Sequence, residues 1–257
     1  MHGRKPFSAL RRSAGEIKRY RAMQRLIPAV IGVIVALLCV VYVVSLLFNK
    51  YGSFTVSIRD VRDYRYALSL AEEPTFKNPT SRLNSKASQE ITNIDGNTLP
   101  GDLNDIDGEH NGDNYVAYTF YLKNTGELTC GYKYSLVITR MTAGVEDAVR
   151  VRVYYNPNYY DAETDTTDFS GHYTDYAKPK VGGNGAPETD PEDRVMTNFE
   201  SAAVIASGQT DDFGVGDITK ITVIIWIEGN DPECTDDVLG GEFKLDMHFE
   251  VTETAAS

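Results

Sequence analysis

The chain has 257 residues and a net charge of −12, from 37 acidic and 25 basic side chains. An acidic surface of this kind excludes nucleic acid as its partner and disfavours adsorption to anionic surfaces. Three cysteines are too few for a disulfide-built scaffold.

Residues 1–25 form a basic tail in which Arg4, Lys5, Arg11, Arg12, Lys18, Arg19, Arg21 and Arg25 face the single acidic Glu16. The next stretch, residues 26–48, contains no Asp, Glu, Lys, Arg or His. As a helix it would reach about 34 Å, slightly more than the ~30 Å hydrocarbon core of a bilayer. A cleavable signal peptide has a shorter apolar run and a small-residue exit, whereas this one leaves through Leu46-Leu47-Phe48-Asn49. The expectation is an uncleaved signal anchor, with the membrane as partner of residues 26–48. Positive flanks stay inside, so the chain is expected in the cell membrane as a single-pass protein, N-terminus cytoplasmic and residues 49–257 extracellular.

The exterior segment shows the two-residue alternation of half-buried strands. Phe243, Leu245, Met247, Phe249 and Val251 share one face of a strand, and Val149, Val151, Val153 and Tyr155 share one face of another, each opposite a polar face read as wet. Residues 221–227 are apolar on both sides, with Ile224 and Trp226 opposite Ile221, Val223, Ile225 and Ile227. That pattern predicts a central strand whose second face is partly covered, by a loop or by that face's neighbours. Further strands are expected at residues 54–58, 66–70, 115–123, 132–139 and 202–206. About eight strands without a long amphipathic helix predict an all-β fold, an antiparallel β-sandwich of jelly-roll-like type.

Two long irregular stretches interrupt these strands, at about 87–114 and 156–193. The first is acidic, and Asp102, Asp105, Asp107 and Asp113 are hard oxygen donors of the kind calcium takes, although their spacing is not that of an EF-hand. The competing reading is a solvated turn rich in Asp, Asn and Gly. The second stretch brings Tyr154, Tyr155, Tyr159, Tyr160, Tyr173 and Tyr176 near one another in sequence, a candidate contact surface. A further acidic run, residues 228–237, is compatible with loop closure or with a cation. Cys130 and Cys234 are the two exterior cysteines, which either bridge or stay reduced.

No metalloprotease, nucleophile-elbow or phosphate-loop motif is present, and His110, His172 and His248 are scattered. The chain is therefore read as non-enzymatic, with no cofactor other than the calcium just considered.

The run Tyr118-Thr119-Phe120-Tyr121-Leu122-Lys123-Asn124-Thr125-Gly126 resembles the strand and Asn-Thr-Gly turn of TasA and camelysin, exported proteins of Gram-positive bacteria. Trp226 through Asn230, Leu239-Gly240-Gly241 and the strand ending at Phe249 are similar to their last two strands. The chain looks closer still to uncharacterised membrane-anchored surface proteins of Gram-positive anaerobes. The resemblance implies a jelly-roll-like extracellular domain with a part in surface fibres or matrix; it carries over no catalytic residue, because no zinc motif matches.

Three functions follow as expectations. The first is a membrane-anchored structural or interaction protein that displays its sandwich to an extracellular protein or matrix partner. The second is a calcium-dependent binding module. The third is a TasA-like fibre subunit, which requires removal of the N-terminal segment.

Overall fold

The computed structural model describes residues 27, 30–42, 53–59, 65–85, 90–142, 144–190 and 192–252. The chain divides into two units, residues 1–49 and 50–257. In the first, residues 30–42 are helical with exposed side chains; the tail 1–25 and most of the rest of 26–48 lie outside the described residues. Among the described residues no helix is long and apolar enough to cross a membrane.

The second unit is mostly β. Its strands are β1 (Phe54–Arg59), β2 (Leu68–Ala71), β3 (Arg82–Asn84), β4 (Gly108–Glu109), β5 (Tyr115–Asn124), β6 (Cys130–Met141), β7 (Val149–Asp161), β8 (Thr166–Thr167), β9 (His172–Ala177), β10 (Thr197–Asn198), β11 (Val204–Phe213), β12 (Ile218–Ile227) and β13 (Phe243–Thr252). A five-stranded sheet has the order β11-β6-β13-β1-β3; an eight-stranded sheet has β10-β9-β7-β12-β5-β2, with β4 beside β5 and β8 beside β7. From β5 to β7 and again from β11 to β13 the chain switches sheet at each step.

The apolar faces anticipated from alternation meet between the sheets. Phe54, Val56, Phe120, Tyr132, Val151, Ile221, Val223, Met247 and Phe249 belong to one buried cluster. Phe54 and Phe249 both lie against Phe120, at centroid separations of 6.1 Å. Burying each such aromatic contributes roughly 1.5–3 kcal/mol, so this layer dominates the stability of the sandwich.

The sheets are mixed, not wholly antiparallel as expected. β1 runs parallel to β13, pairing Phe54 with Leu245 and Ile58 with Phe249, and β10 runs parallel to β9. Alternation specifies which face of a strand is buried and carries no information about its direction.

The stretch 156–193, expected to be irregular, holds the end of β7, β8 and β9. Pro157 lies where the β7–β12 pairing slips between Ile218↔Tyr160 and Lys220↔Asn156. A bulge leaves residues outside the ladder, so the missing proline N–H costs no sheet hydrogen bond.

The Asn-Thr-Gly turn after β5 is a structural junction. Asn124 is fully buried; its Nδ2 donates to the carbonyls of Leu128 (3.0 Å) and Phe213 (2.8 Å), and its Oδ1 accepts from Gly126 N–H. A Cβ on Gly126 would stand 2.4 Å from the Arg65 carbonyl oxygen, so only glycine lets the turn close against the 65–67 segment.

Candidate functional site

The outer face of the eight-stranded sheet carries most of the distinctive chemistry. β12 lies between β5 and β7, so the outward residues Lys220, Thr222, Ile224 and Trp226 sit beside Tyr121, Thr119, Ala117 and Tyr115 of β5. Over its lower half fold Ile94, Leu99 and Leu103, which form a second small core with Ala117, Ile224 and Trp226. The cover expected for residues 221–227 is therefore supplied by the acidic 87–114 stretch.

That cover determines where its aspartates go. Asp102, Asp105, Asp107 and Asp113 are all exposed and fall into two places. Burial raises the Tyr115 hydroxyl above its ordinary range, with Asp102 and Asp113 adding to it. Asp105 and Asp107 instead face Lys220, whose ammonium is lowered by burial and held up by these two carboxylates. Asp107 also accepts a 2.6 Å hydrogen bond from the Tyr121 hydroxyl. No three of the four converge as a ligand set, and Leu103, between Asp102 and Asp105, is buried in the small core.

A different acidic group converges. Ligand oxygens of Glu188, Asp231 and Glu233 lie within 4.8 Å of one another, the only set of three potential metal ligands so placed among the described residues. Asp231 and Glu233 belong to the run 228–237; Glu188 arrives from the connection between β9 and β10, and nothing in its surroundings Ala186-Pro187-Glu188-Thr189 marked it.

The base of this group is Arg150, on the face of β7 that alternation had read as wet. Arg150 is in fact 1% exposed. It forms an ion pair with Asp231, donates through one terminal nitrogen to the carbonyls of Asp147 and Val149 at 3.1 Å, and leaves its Nε–H without a hydrogen-bond partner. Burial works against its charge, while Glu188, Glu228 and Glu233 favour it.

Glu228, 2% exposed, is fully occupied. Its Oε2 accepts from Trp226 Nε1–H (3.1 Å) and Gly96 N–H (3.0 Å), and its Oε1 from Asn230 N–H (3.2 Å). A side chain at Gly96 would place its Cβ 2.9 Å from both Glu228 Oε2 and Trp226 Nε1, so this position needs glycine for its close approach. Asp231 Oδ1 accepts from Glu233 N–H at 2.8 Å.

Above the loop cover the same sheet face is aromatic. Tyr154 and Tyr173 pair across β7 and β9 with ring centroids 5.1 Å apart, and Phe169 meets Tyr159 edge-on at 5.8 Å. Phe169 is 76% exposed. Between Tyr154, Tyr159 and Phe169 opens a narrow cleft that Asn104, Asn156 and Lys220 also line. Arg152 holds the lower edge: it binds Asp175 through two hydrogen bonds of 2.7 and 2.8 Å, with its guanidinium 4.1 Å from the Tyr173 ring centre. Of the six tyrosines read as one surface, Tyr155 and Tyr176 turn inward instead. Adjacent residues of a strand face opposite sides, so Tyr154 and Tyr155 cannot share a face.

The remaining sequence candidates lie apart. Cys130 and Cys234 are both free thiols. Cys130 pairs with Phe213 just before β12, and Cys234 follows the far end of that ten-residue strand, roughly 30 Å away at about 3.3 Å per residue. A bridge needs Cα atoms within about 7 Å, so of the two alternatives the structure has the unbridged one. His248 is 8% exposed on the outer face of the five-stranded sheet, its Nδ1 2.9 Å from Ser57 Oγ. It borders a groove of about 400 Å³ lined also by Arg59, Lys133, Ser135, Ser207 and Glu250. His110 meets the Gly108 carbonyl, and His172 opens β9.

Comparison with family models, with curated proteins and with solved structures finds no match to this chain.

Proposed function

We propose that the protein is a membrane-anchored cell-surface interaction protein that presents the aromatic outer face of its eight-stranded sheet to an extracellular protein or matrix partner. The observation that carries this reading is the exposed pair Phe169 and Tyr173, backed by the half-buried Tyr159 and Tyr154, directly beside a part of the same face that its own loop covers. Exposed aromatic side chains supply large contact area at small entropic cost, which is why they recur at binding surfaces. The anchor at residues 26–48, the cytoplasmic N-terminus and the extracellular placement of residues 49–257 rest on the charge asymmetry and the uncharged run of the sequence.

The fold supports a jelly-roll reading. Leaving out the short strands, β1-β13-β6-β11 faces β5-β12-β7-β9, the interleaved order of two Greek keys. The departure is β1, which runs parallel to β13 where a jelly roll is antiparallel.

The test uses cells carrying the full chain. External protease is expected to remove a C-terminal epitope and spare an N-terminal one. Cells displaying Phe169→Ala with Tyr173→Ala are expected to bind purified extracellular matrix several-fold less than cells displaying the wild type at equal surface density. Equal binding removes the contact-face reading; a protected C-terminus removes the topology.

A second reading, a fibre subunit resembling TasA, is favoured by β1. Phe54 and Val56 are almost completely buried in the core, and a strand lying parallel beside the last one is a place that a strand from another copy would fit in the same register. It requires a freed N-terminus. Intact-mass measurement of the native protein decides between them, since a mature form beginning after Phe48 supports the fibre and a full-length membrane form supports fixed display.

A further inference from the structure

We infer that Glu188, Asp231 and Glu233 form a binding site for a divalent cation, calcium in the first instance, that fastens the β9–β10 connection to the turn after β12. Their ligand oxygens lie within 4.8 Å of one another. Calcium bonds of 2.3–2.6 Å place ligands on opposite sides of the ion about 5 Å apart, so one ion reaches all three. The donor set is carboxylate alone, without thiolate or imidazole, which selects a hard cation over zinc or copper.

The second observation is the state of Glu188. It is 6% exposed, yet its carboxylate accepts no hydrogen bond from any described residue while facing the other two acids. Glu228 is held by three N–H groups and Asp231 by Arg150 and a backbone N–H, so both are satisfied without an ion. Glu188 is not. Its side chain is largely enclosed while its carboxylate oxygens stay open to solvent, so they are free to take an ion as ligand.

Charge points the same way. Among the described residues Arg150 is the one buried cation against Glu188, Glu228, Asp231 and Glu233, so the group carries a large uncompensated negative charge. Arg150 fixes Asp231 in place but neutralises only one of these groups. A divalent ion brings the balance close to neutral and joins two segments far apart in the chain, so its binding raises the stability of the folded state alone.

The experiment uses the full chain in detergent micelles, stripped of metal by a chelator and then titrated with calcium chloride, followed by calorimetry and by the melting temperature. The expected result is saturable binding in the range of extracellular calcium modules, a Kd of about 10⁻⁴–10⁻³ M, with a melting temperature several degrees higher at saturation. Glu188→Gln is expected to weaken calcium binding by at least about tenfold and to lose the thermal shift, while melting no lower than the metal-free wild type. Asp102→Asn, in the exposed acidic loop, is expected to respond as the wild type does. If Glu188→Gln does not fold, Glu233→Gln provides the same comparison. Absence of calcium binding by the wild type at several millimolar, or a wild-type response in the Glu188 and Glu233 variants, overturns the site and leaves the acids as counter-charge to Arg150. Tighter binding of magnesium than of calcium overturns the choice of ion.

Discussion

Arg150 and Asp231 form an ion pair in which both side chains are 1% exposed, one from the start of β7 and the other from the turn that follows β12. Burial on this scale removes both charges from water, and each is tolerable only because the other is present.

Replacing Arg150 by Met is expected to destabilise the domain by about 3–5 kcal/mol, because Asp231 then stays buried beside further acids without its partner. Chemical denaturation followed through Trp226, the chain's single tryptophan, measures the loss. A change within ~0.5 kcal/mol contradicts the pairing described.

Asn124→Ala is expected to cost about 3 kcal/mol, since it strands the buried Phe213 carbonyl and removes the donor to that of Leu128. Asn124→Asp is expected to be no better, because a carboxylate keeps the acceptor for Gly126 but offers no donor to two carbonyls. Rescue by aspartate in the same denaturation assay counts against the assignment.

His248 supplies a pH dependence. Burial and then the nearby Arg59 guanidinium hold it below the usual histidine range, with Arg82 adding to this and Asp246 opposing. The unfolded chain therefore binds the proton more readily than the folded one. The contribution is complete above the unfolded value of about 6.5 and is lost as the pH falls from there through the folded one. Melting temperatures of wild type and His248→Gln between pH 7.5 and pH 5 are expected to diverge, the variant losing less stability on acidification. Parallel curves refute it.

The thiols of Cys130 and Cys234 are expected to behave differently. Burial pushes the Cys130 thiol up to about 11, and Cys130 is fully enclosed, whereas Cys234 is half-buried next to Asn93. A thiol reagent applied to the native protein at neutral pH should label the peptide with Cys234 and reach Cys130 only after denaturation. Peptide mass mapping of both states checks this, and a disulfide-linked peptide in the non-reduced sample contradicts the geometry.

How far the sequence spoke depended on whether a feature was local. All eight strands expected from alternation are present, from β1 through β13, and the two-faced pattern of residues 221–227 correctly marked β12 as central and covered. A period of two is imposed by the pleat and survives any tertiary arrangement. The same local signal misread Arg150 as solvated, because alternation cannot tell a face open to water from one closed by a distant loop.

Which distant segments met was decided by the tertiary structure. The parallel register of β1 with β13, the arrival of Glu188 beside Asp231 and Glu233, and the placement of Cys130 and Cys234 at opposite ends of β12 all depend on pairings between segments many residues apart. Local composition fixes which side of each strand is apolar; burying those sides together selects one set of neighbours, and that selection brings Glu188 beside Asp231 and Glu233.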